Sequence, residues 1–404
     1  MSLTDVTYSR DSLPVLNLNA PDIWQDIHAP LREAREMSPF GVSGEGAIHV
    51  LRDAEVEACL RDPRFLAADL MALNGLRSGP LWEWWNSVMF SKNPPEHTRL
   101  RKLVSRAFTP RSVERLRPQI AGHVQSILAP ALEVGRFDAQ GDLGHRLPLA
   151  VISDLLDIPE ADRASFGVWT KQLGLAFSAI RDPLIHREIE DALAQLDAYV
   201  KGLIAERRKA PGEDLLSALI QVEEAGDRLT TDEMVALTEN LMFAGHDTTR
   251  GALAAMAVLF ARNPDQLAAV AADPELVPRA AEEVLRYEPI TFGTARLASE
   301  TMDFAGLQIG EGEPVVLCLT AACRDPRRYA DPDRFDVQRQ DVKSTTFGAG
   351  IHFCLGATLA RVELEEAIRV LAQPGATLEL TDEPRWVPLA QIRCYEPPVW
   401  VSAG

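Results

Sequence analysis

The sequence predicts a mainly α-helical protein with small β-sheets near both ends of the chain. Apolar residues recur at three- and four-residue spacing through much of the chain, which is typical of helices that bury one face. After Pro289, prolines and short β-like runs take over, above all in residues 303–316 and 378–401. Because the 404 residues contain no repeat, low-complexity segment or linker, we expect one domain over 1–404, with a loosely ordered segment to about residue 20.

The helices follow from this spacing in chain order. A strand is predicted over residues 47–51, and helices over residues 24–36, 53–60, 96–107, 110–132, 147–156, 161–177, 183–208, 213–223, 230–263 and 274–287. The longest helix starts with Thr230 and Glu233, which match a capping box, and meets no proline before Pro264. At 1.5 Å per residue it would be roughly 45 Å long, enough to cross the domain.

Composition excludes several classes of protein. The net charge of −18 argues against nucleic acid or an anionic membrane as the main partner. No run of eighteen apolar residues occurs, and the N-terminal stretch does not resemble a signal peptide. Five scattered cysteines argue against a disulfide framework. We therefore expect a cytoplasmic monomer without a membrane anchor.

One cysteine, Cys354, lies in a glycine-rich loop, residues 346–356, that opens a run of helix-forming residues. A thiolate near a helix N-terminus is stabilised by unpaired N–H groups and the helix dipole. A lone thiolate without a CxxC partner suits axial ligation of haem iron. The alternative is a structural loop with a buried cysteine.

This loop resembles the haem-binding signature of the cytochrome P-450 family, in its soluble bacterial form. The matching residues are Phe347, Gly348, Gly350, His352, Cys354 and Gly356. The resemblance implies a fold with a long central helix above haem b (iron protoporphyrin IX), Cys354 as the iron ligand and His352 at a haem propionate. His352 as the proximal ligand is the alternative assignment.

A second motif lies midway along the longest predicted helix, at Ala244-Gly245-His246-Asp247-Thr248. Gly245 removes side-chain bulk where a flat cofactor or dioxygen would touch the backbone, and Thr248 can donate a hydrogen bond to the carbonyl of Ala244. The resemblance implies that Asp247 and Thr248 form the acid–alcohol pair that supplies protons during oxygen activation. We expect His246 to pack or contact water; a polar patch on an amphipathic helix is the alternative.

Three cationic side chains are candidates for binding the haem propionates. His97 and Arg101 are four residues apart on one helical face and could clamp a carboxylate. Arg296 matches a further propionate-binding arginine of the family. A solvated basic face is the alternative for all three.

Glu283 and Arg286 can form an i,i+3 ion pair. The resemblance implies that this pair and Arg334 make a buried network that supports the haem loop. Their predicted role is structural.

Exposed cations on the helix of His97 indicate a site for an electron donor. Arg99, Lys102 and Arg106 stand out in an acidic protein and could receive an acidic ferredoxin. A solvated charged face is the alternative. Because the sequence has no evident flavin or iron–sulfur motif, we expect electrons from NAD(P)H to arrive through a separate ferredoxin and reductase.

Substrate contacts are predicted mainly in residues 81–90, a loop rich in tryptophan. The candidates are Trp84, Trp85, Val88, Met89, Phe177, Ile290, Phe292 and Ile392. Core packing is the alternative. The predicted substrate is compact and apolar: terpenoid, steroid, aromatic or fatty-acid-like.

The predicted activity is insertion of one oxygen atom from O2 into this substrate, by hydroxylation or epoxidation. A peroxide-driven enzyme and a non-catalytic haem sensor are the alternatives. Both are disfavoured by Asp247 and Thr248, because neither requires a pair that delivers protons.

Overall fold

Helices account for most of the chain in the computed structural model, which describes residues 7–177, 183–224, 229–388 and 391–404. The helices in this part are α1 His28–Met37, α2 Asp53–Arg61, α3 Leu70–Leu73, α4 Pro80–Ser87, α5 Glu96–Ala107, α6 Pro110–Glu114, α7 Arg117–Val134, α8 Arg146–Leu155, α9 Glu160–Gly174, α10 Pro183–Lys209, α11 Leu215–Glu224, α12 Thr231–Arg262, α13 Pro264–Ala272, α14 Val277–Tyr287, α15 Leu319–Ala322 and α16 Ala357–Leu371. The prediction of a mainly α-helical domain with small sheets is confirmed.

The strands are short and form three sheets. They are β1 Val15–Leu16, β2 Phe40–Ser43, β3 Ile48–Val50, β4 Phe65–Ala67, β5 Arg136–Asp138, β6 Thr294–Ala298, β7 Met302–Phe304, β8 Leu307–Ile309, β9 Pro314–Leu317, β10 Leu378–Leu380 and β11 Trp400–Ala403. The largest sheet has the order β1-β2-β3-β9-β6-β4, while β10-β11-β5 and β7-β8 form smaller antiparallel sheets. The largest sheet joins strands from both ends of the chain.

The long helix α12 crosses the domain, as the sequence predicts. Thr230 Oγ1 accepts from Glu233 N (3.1 Å) and Glu233 Oε2 accepts from Thr230 N (2.9 Å), which completes the capping box. The N-terminal half of α12 packs in one apolar cluster with α4, α5 and α8–α11. Its C-terminal half packs in another cluster with α7, α14 and α16. Between the two halves lies the segment that contains Asp247 and Thr248.

The N-terminal segment differs from the expected loose arrangement. Tyr8 N donates to Gly306 O (2.7 Å), and β1 pairs in parallel with β2. Leu13 and Leu16 are buried. From Tyr8 onwards the segment is therefore part of the fold, because its apolar side chains and its backbone both find partners.

Two predicted segments are also divided differently. The expected helix over 110–132 breaks after α6, and α7 begins at Arg117 with Pro118 in its first turn, where proline needs no hydrogen-bond donor. The expected loop over 81–90 is mostly helix α4, followed by a 3-10 turn at Met89–Ser91. No helix in the described ranges is long and apolar enough to span a membrane.

Candidate active site

A cavity of about 780 Å³ lies between the Cys354 loop, α12 and the largest sheet. Ten of the residues that the sequence singles out line it: Trp85, Ala244, Thr248, Ile290, Arg296, Phe347, Gly348, His352, Cys354 and Ile392. Cys354 and Thr248, which are 106 residues apart, thus face the same space.

The Cys354 loop is held in an unusual backbone conformation by its glycines. Gly348 and Gly350 have φ angles of +69° and +68°, a region that side chains with a Cβ rarely adopt. A Cβ at Gly350 would also come within 2.5 Å of Leu60 O. The loop folds back so that Cys354 N donates to Phe347 O at 2.9 Å. This turn presents Cys354 to the cavity just before α16 begins.

Opposing effects act on the Cys354 thiol. Burial raises its pKa, whereas the backbone N–H groups of Gly356 and Ala357 and the guanidinium groups of Arg101 and Arg361 act in the other direction. The residue is nevertheless accessible, because it faces the cavity. A coordinated metal ion would provide the remaining stabilisation, since a coordinating thiol loses its proton outright.

Two arginines and two histidines, which we call the cation cluster, converge beside this loop without a carboxylate of the described chain. The His97 and His352 ring centroids are 4.1 Å apart, and Arg101 and Arg296 act on both rings. Burial, followed by the neighbouring cations, lowers the pKa of His352 to about 3. His97 Nδ1 is buried without a hydrogen-bond partner. In the part of the chain that the structure describes, none of the four forms an ion pair with an acidic residue.

Arg296 is the most strongly constrained of these cations. It is buried on β6, where its Nη1 donates to Thr294 Oγ1 and Ala295 O, both at 2.9 Å. Its remaining N–H groups have no acceptor in the described chain. An arginine desolvated in this way needs an anion.

These observations fit haem. The cation cluster would receive its two propionates, Cys354 would ligate the iron, and the cavity offers the volume. One predicted contact differs: a Cβ at Gly245 would meet Ile152 of α8 at 3.4 Å, and Gly245 does not line the cavity. Ala244 is the residue of this pair that faces it.

The α12 motif divides into an alcohol that faces the cavity and an acid that does not. Thr248 Oγ1 donates to Ala244 O at 2.8 Å, which confirms the predicted bond. Asp247 is 4% exposed and does not line the cavity. Its Oδ1 lies 3.2 Å from His246 Nδ1 and 3.3 Å from the guanidinium of Arg250. Asp247 therefore adjoins Thr248 in the helix, but its side chain does not share the cavity with the Thr248 hydroxyl.

The structure extends this group by one residue that the sequence did not indicate. His246 Nε2 lies 3.1 Å from Nδ1 of His145, which is half-buried. Burial, then His246 and Arg250, lowers the pKa of His145 to about 4. Asp247, His246 and His145 form a hydrogen-bonded row from the interior towards the surface. The i,i+3 spacing of Asp247 and Arg250 was a detectable signal, whereas nothing local marked His145.

The Glu283–Arg286 pair is completely buried and fully partnered. Arg286 donates to Glu283 at 2.7 and 2.8 Å, and to the carbonyls of Cys323 and Pro332. The prediction that the side chain of Arg334 belongs to this network was wrong. Arg334 contributes its carbonyl and leaves its side chain exposed, while Arg339 provides the second guanidinium, 3.3 Å from Glu283.

Several predicted substrate contacts do not line the cavity. Trp84, Val88 and Met89 belong to an apolar core cluster beside it. Phe292 packs against Trp24, with ring centroids 5.2 Å apart. For these four residues the structure favours core packing. The side chain of Phe177 lies outside the part that the structure describes.

The predicted donor surface on α5 is exposed but not purely basic. Arg99, Lys102 and Arg106 are exposed, and Arg99 forms an ion pair with Glu233. Ile351 and Phe353 of the Cys354 loop are also exposed.

Comparison with known proteins agrees with this arrangement. Residues 83–371 match the family described as cytochrome P450. The cytochrome P450 monooxygenase PikC of Streptomyces venezuelae is 42% identical over 315 residues, 76% of this chain and 74% of that protein. The mycinamicin IV hydroxylase/epoxidase of Micromonospora griseorubida is 37% identical over 349 residues, 85% of this chain and 86% of that protein.

Solved structures give the same result. The crystal structure of CalO2 superposes with a TM-score of 0.90 at 30% identity, covering 96% of this chain and 99% of that one. The segment that matches the family, residues 83–371, contains Cys354, Thr248 and all four residues of the cation cluster. The chain therefore belongs to the cytochrome P450 family and is a haem-thiolate monooxygenase.

Proposed function

We propose that this monooxygenase holds haem b through Cys354 and inserts one oxygen atom from O2 into an apolar organic compound, with electrons from a ferredoxin. The observation that carries the proposal is that the Cys354 thiol and the Thr248 hydroxyl face one cavity. Haem with a thiolate ligand supplies oxygen activation, because the thiolate pushes electron density towards O–O cleavage. The protein's own residues must then anchor the cofactor, deliver protons and exclude water.

Anchoring falls to the cation cluster of His97, Arg101, Arg296 and His352. Charge-assisted hydrogen bonds to two carboxylates would satisfy Arg296 and the unpartnered Nδ1 of His97. Burial first, and then the neighbouring guanidinium groups, lower the pKa of both histidines, and two carboxylates would offset the contribution of those positive charges. The cofactor is thus held by groups that are poorly satisfied without it.

Proton delivery is assigned to Thr248 and Asp247 of α12. Thr248 can turn its hydroxyl from Ala244 O towards the cavity, and Asp247 is next to it on the helix. The row of Asp247, His246 and His145 offers Asp247 a route for recovering its proton from the surface side. Asp247 and Thr248 are accordingly the proposed catalytic residues.

Thr248→Ala tests this assignment. We expect haem incorporation to be retained and product formed per NAD(P)H consumed to fall about tenfold or more, because general acid catalysis typically contributes 10²–10⁴-fold. Thr248→Ser retains the hydroxyl and is the matched control. Unaltered coupling in Thr248→Ala would remove Thr248 from the mechanism.

The substrate is apolar, with hydroxylation or epoxidation as the proposed reaction. Trp85, Ile290 and Ile392 provide apolar walls. One relative is named for hydroxylation and epoxidation of mycinamicin IV, which supports this reaction class. We further propose that the protein acts as a cytoplasmic monomer.

The proposed ferredoxin site is the surface formed by Arg99, Lys102 and Arg106. Reversing one charge should slow electron transfer without changing substrate binding, because rim charges act mainly on association. We expect Arg106→Glu to lower the rate of ferric haem reduction by a ferredoxin about threefold to tenfold at low salt. Lys209→Glu, at the end of α10, is the control. Equal rates in the two variants would place the donor elsewhere.

A further inference from the structure

His49, in the middle of β3, lines the cavity and is only 4% exposed. Its buried Nδ1 has no hydrogen-bond partner among the residues that the structure describes. The nearest ring is that of Phe292, with centroids 6.4 Å apart. A buried polar group without a partner is unfavourable, so a side chain of this kind in a cavity wall indicates a missing ligand group or water.

The sheet explains why the cavity extends to His49. The strand registers put Gly41, His49, Val316 and Ala295 in one row across β2, β3, β9 and β6. The residues in register share one face, and the three neighbours of His49 in this row are small. Since adjacent strands are about 4.8 Å apart, the His49 backbone lies roughly 10 Å along the wall from Ala295.

Burial lowers the pKa of His49 to about 4. At neutral pH the ring is therefore neutral and offers one donor and one acceptor nitrogen. A carboxylate placed beside it would be desolvated without a compensating cation, which is costly.

We propose that His49 determines specificity by hydrogen-bonding a neutral oxygen, such as a hydroxyl, ether or carbonyl group, on the part of the substrate that lies against β3. This inference rests on the proposed function, because it assumes that the reacting end lies at the haem. It narrows the substrate class to apolar molecules with a neutral oxygen, and it disfavours simple hydrocarbons and free fatty acids.

Imidazoles with alkyl tails test this proposal without knowledge of the substrate. The imidazole binds the haem iron and shifts its absorption band, while tails of six to twelve carbons end in a methyl or a hydroxyl group, with a third set ending in a carboxylate as the charged comparison. For each length, the ratio of the dissociation constants for the methyl and hydroxyl tails is measured in the haem-containing wild type and in His49→Leu. The comparison between proteins cancels the difference in hydrophobicity between the tails.

At the best tail length, we expect the preference for the hydroxyl tail to fall about threefold to tenfold in His49→Leu, the effect of one hydrogen bond. Val316→Ala, a change of shape in the same row, should retain the wild-type preference, and His49→Gln should restore part of it. His49→Phe replaces His49→Leu if the latter does not bind haem.

Ratios within twofold of each other in wild type and His49→Leu at every tail length would overturn the proposal. A larger gain for tails that end in a carboxylate would overturn the neutral-oxygen claim. Absence of any spectral shift in the wild type would instead contradict the proposed haem site, so the two failures are distinguishable.

Discussion

Two buried clusters that contain arginine differ in how the surrounding chain partners their charges. Around Glu283, the guanidinium groups of Arg286 and Arg339 share one carboxylate and donate their other hydrogen bonds to backbone carbonyls, so the cluster finds its partners within the chain. Around Arg296, two guanidinium groups and two imidazoles face one another and no carboxylate of the described chain. Both clusters are similarly buried.

The difference shows how a structural charge cluster can be told from a binding one. A self-satisfied cluster contributes to folding and changes little when a ligand arrives. A cluster with unpaired positive charge lowers the stability of the folded protein, and the binding of an anion restores that stability. Burial alone would not separate the two.

The largest expected effect is the loss of Glu283. Glu283→Gln leaves the buried Arg286 without its counter-ion, which typically costs about 3–5 kcal/mol of unfolding free energy. Arg339→Gln removes a more peripheral partner and should cost about 1 kcal/mol. Urea denaturation of the haem-containing protein measures both. Similar losses in the two variants would contradict the central role of Glu283.

The second-largest effect is expected for Arg296→Leu, which should weaken haem binding more than it weakens folding. Arg296→Leu removes an uncompensated cation, so we expect faster loss of haem to a haem acceptor such as apomyoglobin, by about tenfold or more, because hydrogen bonds to charged groups contribute about 1.5–3 kcal/mol. The unfolding free energy of the polypeptide should fall far less than in Glu283→Gln. Arg32→Leu, which removes an exposed ion pair with Asp333, is the control. An unchanged rate of haem loss would mean that Arg296 is structural.

A buried acid extends the comparison to the opposite charge. Burial, then Asp197, raises the pKa of Glu239 on α12 to about 8. The folded protein therefore retains a proton that the unfolded chain releases near pH 4.5. Its contribution to stability is complete below that pH and is lost as the pH rises through about 8.

Glu239→Gln should remove this dependence. Relative to the wild type, we expect the variant to gain on the order of 4 kcal/mol of unfolding free energy between pH 4.5 and 8.5, since one pKa unit corresponds to about 1.4 kcal/mol. Urea denaturation at several pH values measures it. Parallel curves for the two proteins would show that Glu239 titrates normally.

Features that depend on neighbouring residues could be predicted from the sequence. The capping box of α12 and the bond from Thr248 to Ala244 are local, and both are present. The Cys354 loop was equally recognisable, because its glycines and its cysteine follow one another in the chain.

Features that depend on the direction of a side chain could not be predicted from the sequence. Trp84 and Trp85 are adjacent on α4, yet only Trp85 lines the cavity, because successive residues of a helix point about 100° apart. His145 meets His246 across 101 positions of sequence, and no local pattern indicates such a contact. His49 belongs to a strand of three residues, too short to reveal which face it presents.

The central claim is that the unbalanced cation cluster and Cys354 together hold a haem whose iron is bound by the cysteine sulfur. The absorption spectrum of the reduced carbon-monoxide complex tests it most directly, in wild type and in Cys354→Ser. We predict the red-shifted Soret band of a thiolate-ligated haem in the wild type and its loss in the variant. An identical band in Cys354→Ser would contradict the account.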